Sequence, residues 1–121
     1  MRIITFSRFD AHSSPIFKYL TIIKLPDLYV LNIAIFMHKF HHKKLPSDFN
    51  HYFTTVNEIH AYNTRLASKQ SYSLPKTRTN FGTFNIRYQG PKIWNSLDES
   101  DKKLLDFQLK KKLKIHFIDS Y

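Results

Sequence analysis

The sequence predicts a mainly α-helical fold, with about four helices in a single domain over residues 1–121 and a small β-hairpin or ribbon around residues 74–88. Three observations predict it. Leu28 to Phe40 is apolar at ten of thirteen positions, and Leu25-Pro26-Asp27 and Leu45-Pro46 bracket it. Leu105, Leu109, Leu113 and Phe117 recur every four residues among lysines, the spacing of a helical stripe. Between these segments Phe84, Ile86 and Tyr88 alternate with Thr83, Asn85 and Arg87, the period of a half-buried strand.

Taken in order, Ser14-Pro15 opens a first short helix, with Ser14 as N-cap and Pro15 at the first helical position, where its missing N–H costs nothing. Ile16, Phe17 and Leu20 give that helix its apolar contacts. Leu25-Pro26-Asp27 starts the second helix, which runs to about His42 and stops before Leu45-Pro46, because proline cannot continue the hydrogen-bond ladder. Ser47 to Phe53 suits one further helical turn, and short strands are expected at Leu74–Thr77 and Gly82–Tyr88. Gly90-Pro91 breaks the second of these and begins a short helix carrying Ile93, Trp94 and Leu97. The last helix starts near Asp98-Glu99-Ser100-Asp101, where acids favour the positive end of the helix dipole. Burial should centre on Leu28, Leu31, Ile35, Phe36, Ile86, Ile93, Trp94 and Leu113.

Composition narrows the chemistry. The chain has no cysteine, which removes disulfides, thiol catalysis and cysteine-ligated metal sites. Its two glycines, Gly82 and Gly90, cannot build a glycine-rich phosphate loop. No cofactor is expected. The apolar run Leu28–Phe40 falls short of the roughly 18 residues a membrane span needs, and Arg8 and Asp10 interrupt any signal-peptide pattern, so no membrane partner and an intracellular location are expected.

The net charge is +10, and its distribution is uneven. Ile59 to Leu97 contains no Asp or Glu in 39 residues, and its Arg65, Lys69, Lys76, Arg78, Arg87 and Lys92 supply +6 of the total. Tyr62, Tyr72, Phe81, Phe84, Tyr88 and Trp94 are interleaved with them. Lys and Arg contact nucleic-acid phosphates, and exposed aromatic rings stack on unpaired bases. The lysine-rich tail is less distinctive, because six lysines from Asp98 onward face five acids.

Catalytic constellations are not recognisable. His38, His41 and His42 have helix-face spacing but no HExxH context, and read as a polar helix end. The acids cluster at expected helix starts rather than converging as two-metal catalysis requires.

Arg78 to Leu97, RTNFGTFNIRYQGPKIWNSL, resembles a segment near the C-terminus of non-LTR (LINE-type) retrotransposon reverse transcriptases. His60, Tyr62, Asn63, Thr64 and Arg65 match a His-x-Tyr-Asn-Thr-Arg motif upstream of it in those proteins. Phe36-Met37-His38-Lys39-Phe40 and Leu109-Lys110-Lys111-Lys112-Leu113-Lys114 follow the family's order, and the likeness extends from Arg2 to Phe117. The family usually continues Trp-Asn-Ser with Leu-Pro, whereas Leu97 is followed here by Asp98. The Tyr/Phe-x-Asp-Asp polymerase motif is absent from the chain.

The resemblance implies a non-catalytic C-terminal module of an RNA-directed DNA polymerase, detached from the polymerase portion that would be its partner. Arg65, Arg78, Arg87 and Lys92 are the candidate contacts to RNA or DNA phosphates. Tyr62, Asn63, Thr64, Phe81, Gly82, Tyr88, Gly90, Pro91 and Trp94 are the candidate structural motif. The alternative is a docking module that packs on the parent polymerase without touching nucleic acid.

Overall fold

The computed structural model describes residues 2–62 and 64–121 and is mainly helical. Its four longer helices are α1 (Ser13–Tyr19), α2 (Leu25–His41), α5 (Ile86–Ser96) and α7 (Asp106–Asp119). Three single-turn helices lie between them: α3 (Val56–Ile59), α4 (Arg65–Ser68) and α6 (Glu99–Lys102). Short 3₁₀ turns occupy Ser47–Phe49 and Phe81–Phe84.

Helix α2 is the axis of the fold, because it is apolar on two sides. On one side Ile33 and Met37 join Phe53, Tyr72 and Trp94 of the aromatic core, against which α5 packs. On the other, Leu31 and Ala34 meet Leu109 and Leu113 of α7. Trp94, Met37, Ala34 and Leu109 have no exposed surface. Full burial of a side chain the size of Met37 or Leu109 is worth about 1.5–3 kcal/mol, so the two faces of α2 hold the chain together.

The approach of α5 to α2 depends on Gly90. A Cβ there would lie 2.8 Å from Met37 Sδ and 3.2 Å from the Phe53 ring. Ile86, Gly90, Ile93, Trp94 and Leu97 follow the helical i, i+4, i+7, i+8, i+11 spacing, and Gly90, Ile93, Trp94 and Leu97 of this face pack on the core around Met37. Pro91 lies inside this helix and is buried.

The expected β-ribbon around 74–88 is not formed. Asn85 caps α5 by accepting a hydrogen bond from Arg87 N at 2.9 Å, so Ile86 to Tyr88 are helical. Three alternating residues are too few to separate period two from the start of a helical face, and Gly90 hid the helical spacing. Extended pairing occurs elsewhere. Thr55 bridges Tyr72 antiparallel, with Val56 N donating to Ser71 O at 3.0 Å and Ser73 N to Thr54 O at 2.9 Å.

Two boundaries also move. Helix α1 begins at Ser13 with His12 as its N-cap, so Pro15 stands at the third helical position, while Ser14 Oγ accepts from Lys24 Nζ at 2.8 Å. The C-terminal region is two helices, because Leu105 is extended (φ −70°, ψ 153°) and its N–H donates to Gln108 Oε1 at 3.3 Å. Of the expected core, Leu31, Trp94 and Leu113 are buried, and Ile35, Phe36, Ile86 and Ile93 are partly buried. Leu28 is exposed, because the first turn of α2 meets the polar chain end, where Tyr121 bonds Lys24 and Asp27. Among the described residues, no helix is long and apolar enough to cross a membrane.

Candidate nucleic-acid interface

Residues 77–85 fold back on themselves before α5 begins. Gly82 N donates to Thr79 O at 3.1 Å, Thr83 Oγ1 donates to Asn80 O at 2.6 Å, and Gln89 Nε2 donates from α5 to Thr83 O at 2.7 Å. Gly82 sits so close to Thr77 that a Cβ would lie 3.3 Å from the threonine Cβ. These contacts close the turn against the start of α5, so that Arg78 of the turn and Arg87 of the helix border one hollow.

Arg78 and Arg87 line one hollow of about 260 Å³, with Pro75, Thr77, Gly82, Asn85 and Tyr88. Its lining contains no carboxylate. Both arginines are exposed, and among the described residues neither is in an ion pair or donates a side-chain hydrogen bond to a loop carbonyl. The Arg87 guanidinium lies 4.6 Å from the centroid of the Tyr52 ring, within cation–π range. Phe81 and Phe84 stand on the same turn, 85% and 68% exposed, with ring centroids 6.4 Å apart. Paired guanidinium forks beside exposed rings are binding chemistry: forks for phosphate oxygens and faces for bases.

The other two candidate cations stand apart. Lys92 follows Arg87 by five residues on α5, so the two project from different faces, and Arg65 is exposed on the first turn of α4. Neither lines the Arg78–Arg87 hollow.

The candidate structural residues divide between core and surface. Thr64 caps α4 by accepting from Ala67 N at 3.2 Å. Gly90, Pro91 and Trp94 lie in the contact between α5 and α2, and Trp94 Nε1 donates to Gln70 O at 3.2 Å. Tyr88 and Gly82 border the hollow, while Tyr62 and Phe81 are exposed. Asn63 lies outside the described residues.

Tyr52 was missed by sequence reasoning. It lies 35 positions before Arg87, and no local pattern joins them. The histidines of α2 crowd the far side of the core: His41 is 4.8 Å and His38 6.2 Å from the Trp94 ring. Among the described residues, no group of three His, Cys, Asp or Glu side chains could hold a metal ion. Compared with known proteins, the chain matches no family model, no curated protein and no solved structure.

Proposed function

We propose that this chain is a non-catalytic module of the kind found at the C-terminus of LINE-type reverse transcriptases, and that it binds RNA or DNA strands through Arg78 and Arg87. The reading is supported above all by two arginines that share one carboxylate-free hollow and form no ion pair among the described residues, on a turn that also carries the exposed Phe81 and Phe84 rings. The guanidinium groups grip backbone phosphates, and the rings stack on unpaired bases. Nothing in this arrangement reads a base edge, so binding is sequence-tolerant and its affinity is mainly electrostatic.

The test is a titration of the full chain with a fluorescently labelled single strand at several salt concentrations. Log affinity falls linearly with log salt if phosphate contacts dominate. An oligonucleotide left unbound at about 50 mM salt overturns the reading.

One observation favours a second reading, the docking module. Ile3, Ile4, Phe6 and Phe9 are 88%, 70%, 96% and 92% exposed, a row of apolar side chains of the kind a partner covers. A module that only docks onto the polymerase leaves the oligonucleotide unbound at every salt concentration.

A further inference from the structure

A second basic cavity lies away from the arginine hollow. It has a volume of about 190 Å³, and Lys69, Lys102, Lys103, His41, His42 and Glu99 stand around it together with Ser68 and Gln70. The space is large enough for several waters or one compact oxyanion. None of Arg65, Arg78, Arg87 and Lys92 lines it.

Lys102 is the unusual member. It is 6% exposed, a rare degree of burial for a lysine without a carboxylate partner. Its Nζ donates to Lys69 O at 3.3 Å and lies 5.4 Å from the centroid of the Trp94 ring. The neighbouring acids are committed elsewhere: Asp101 pairs with Lys112, and Asp106 with Lys44. Glu99 is the one carboxylate around the cavity, and among the described residues it is in no ion pair. Burial pushes the Lys102 ammonium below its ordinary range, and the Lys69 charge adds to the shift while Glu99 opposes it. A buried ammonium with no ion-pair partner is costly, and the Lys69 charge beside it adds to that cost.

The histidines do not relieve this. Tyr72, whose phenol burial pushes up to about 12, donates its O–H to His41 Nδ1 at 3.0 Å, while His41 Nε2–H donates to Gln70 Oε1 at 3.1 Å. Burial and then the His42 charge hold His41 below its ordinary range, while the Gln70 bond opposes the shift. His42 Nε2–H donates to Lys102 O at 3.0 Å and fixes the backbone next to the buried lysine.

We infer that this cavity is a binding site for a phosphate-type oxyanion, held by Lys69, Lys102 and Lys103. The bound oxyanion gives Lys102 the direct anionic partner that Glu99, which acts on it without forming an ion pair, does not supply. It is either free phosphate or the terminal phosphate of a nucleic-acid strand, the chemistry at the lysines being the same. The site is independent of the Arg78–Arg87 face and stands or falls separately from it.

Trp94 is the only tryptophan and lies under the Lys102 ammonium, so it reports on the cavity directly. Trp94 fluorescence of the full chain is followed during titration with inorganic phosphate, with sodium chloride at matched ionic strength as control. A saturable phosphate response absent with chloride is expected. Lys102→Met weakens it by about tenfold or more, the loss of one charge-assisted partner. Because Lys102→Met can disturb the core, the exposed Lys69→Gln and Lys103→Gln are measured in parallel, each expected to weaken binding about threefold. Competition with a short strand bearing a 5′-phosphate, against the same strand without one, identifies the source. Stronger competition by the phosphorylated strand assigns a terminal phosphate, and equal competition assigns the free anion. A phosphate response no greater than that of chloride, or one unchanged in both Lys→Gln variants, overturns the inference.

Discussion

Asn95 holds the backbone of Tyr72 with both ends of its side-chain amide. Oδ1 accepts from Tyr72 N at 3.0 Å, and Nδ2 donates to Tyr72 O at 2.9 Å. The flanking Ser71 and Ser73 backbone groups pair with Val56 and Thr54 on the opposite edge. Residues 71–73 are thus bonded on both edges, with the asparagine amide standing where a third strand would otherwise lie. The neighbouring Trp94 indole reaches Gln70 O, so two successive residues of α5 fasten one segment.

Asn95→Ala removes both bonds and leaves a buried N–H and C=O unpaired. Each net hydrogen bond is worth about 1 kcal/mol and an orphaned buried group costs more, so the loss is about 2–3 kcal/mol. Urea unfolding measures it. Asn95→Asp replaces the donor with an acceptor facing Tyr72 O and is expected to destabilise at least as much as alanine.

Gly90→Ala sets two effects against each other. Alanine favours a helix over glycine by about 1 kcal/mol. Here its Cβ enters space held by Met37 Sδ and the Phe53 ring, both buried. Overpacking of a filled core costs about 1–3 kcal/mol and exceeds the propensity gain. The variant is therefore less stable in urea. Adding Met37→Ala to it is expected to cost less than the sum of the two single changes, because the shortened side chain makes room for the new methyl group.

Acid should loosen the fold before any carboxylate titrates. Burial first, then the neighbouring His42, holds both His38 and His41 below the ordinary 6.5. His38 Nδ1 is 2.8 Å from Asp106 Oδ1 but not aligned for a hydrogen bond, and the carboxylate only partly offsets the burial. With folded values depressed, the unfolded chain takes up these protons first as pH falls. Their contribution is complete above 6.5 and is lost as pH drops from there through the folded values. Asp106, which Lys44 holds below 3.8, acts in a separate and lower window. The melting temperature is expected to be lower at about pH 5 than at about pH 7.5, and His41→Gln should narrow the difference. Equal melting temperatures at the two pH values would contradict this.

The C-terminal tyrosine closes the opposite end of the molecule. Lys24 N donates to Tyr121 Oη at 2.8 Å, and Tyr121 O–H donates to Asp27 Oδ2 at 2.6 Å, at the start of α2. Burial and then the Asp27 carboxylate hold the phenol above its ordinary range. Tyr121→Phe keeps the ring beside Phe17 but removes the bridge, at a cost of about 1–2 kcal/mol. Faster amide exchange at Lys24 and a lower urea midpoint are the expected readouts.

Helices α2 and α7 are legible in the sequence because punctuation and periodicity agree there. Pro26 and Pro46 bracket α2, and the Leu109–Leu113 stripe lies against it. Periodicity misleads at residues 82–88, where three alternating residues resemble a strand and Gly90 masks the helical face that Ile86, Ile93, Trp94 and Leu97 complete. Arg78 and Arg87 were legible as cations in an acid-free segment, but the hollow that joins them requires the turn around Gly82. Lys102 was not legible as anything but one lysine among several. Its burial involves Trp94 of the preceding helix and Lys69, 33 positions away, and no local pattern carries that information.

The central claim is that Arg78 and Arg87 form one phosphate-binding face. Fluorescence anisotropy of a labelled single strand at about 50 mM salt, with the parent chain and the Arg78→Glu/Arg87→Glu variant, tests it most directly. Both positions are exposed, and a glutamate in the first turn of α5 suits the helix dipole, so the fold is retained. The account predicts binding by the parent that weakens as salt rises, and binding by the variant reduced by about tenfold or more with a shallower salt slope. Equal affinity and an equal slope in the two proteins would contradict it.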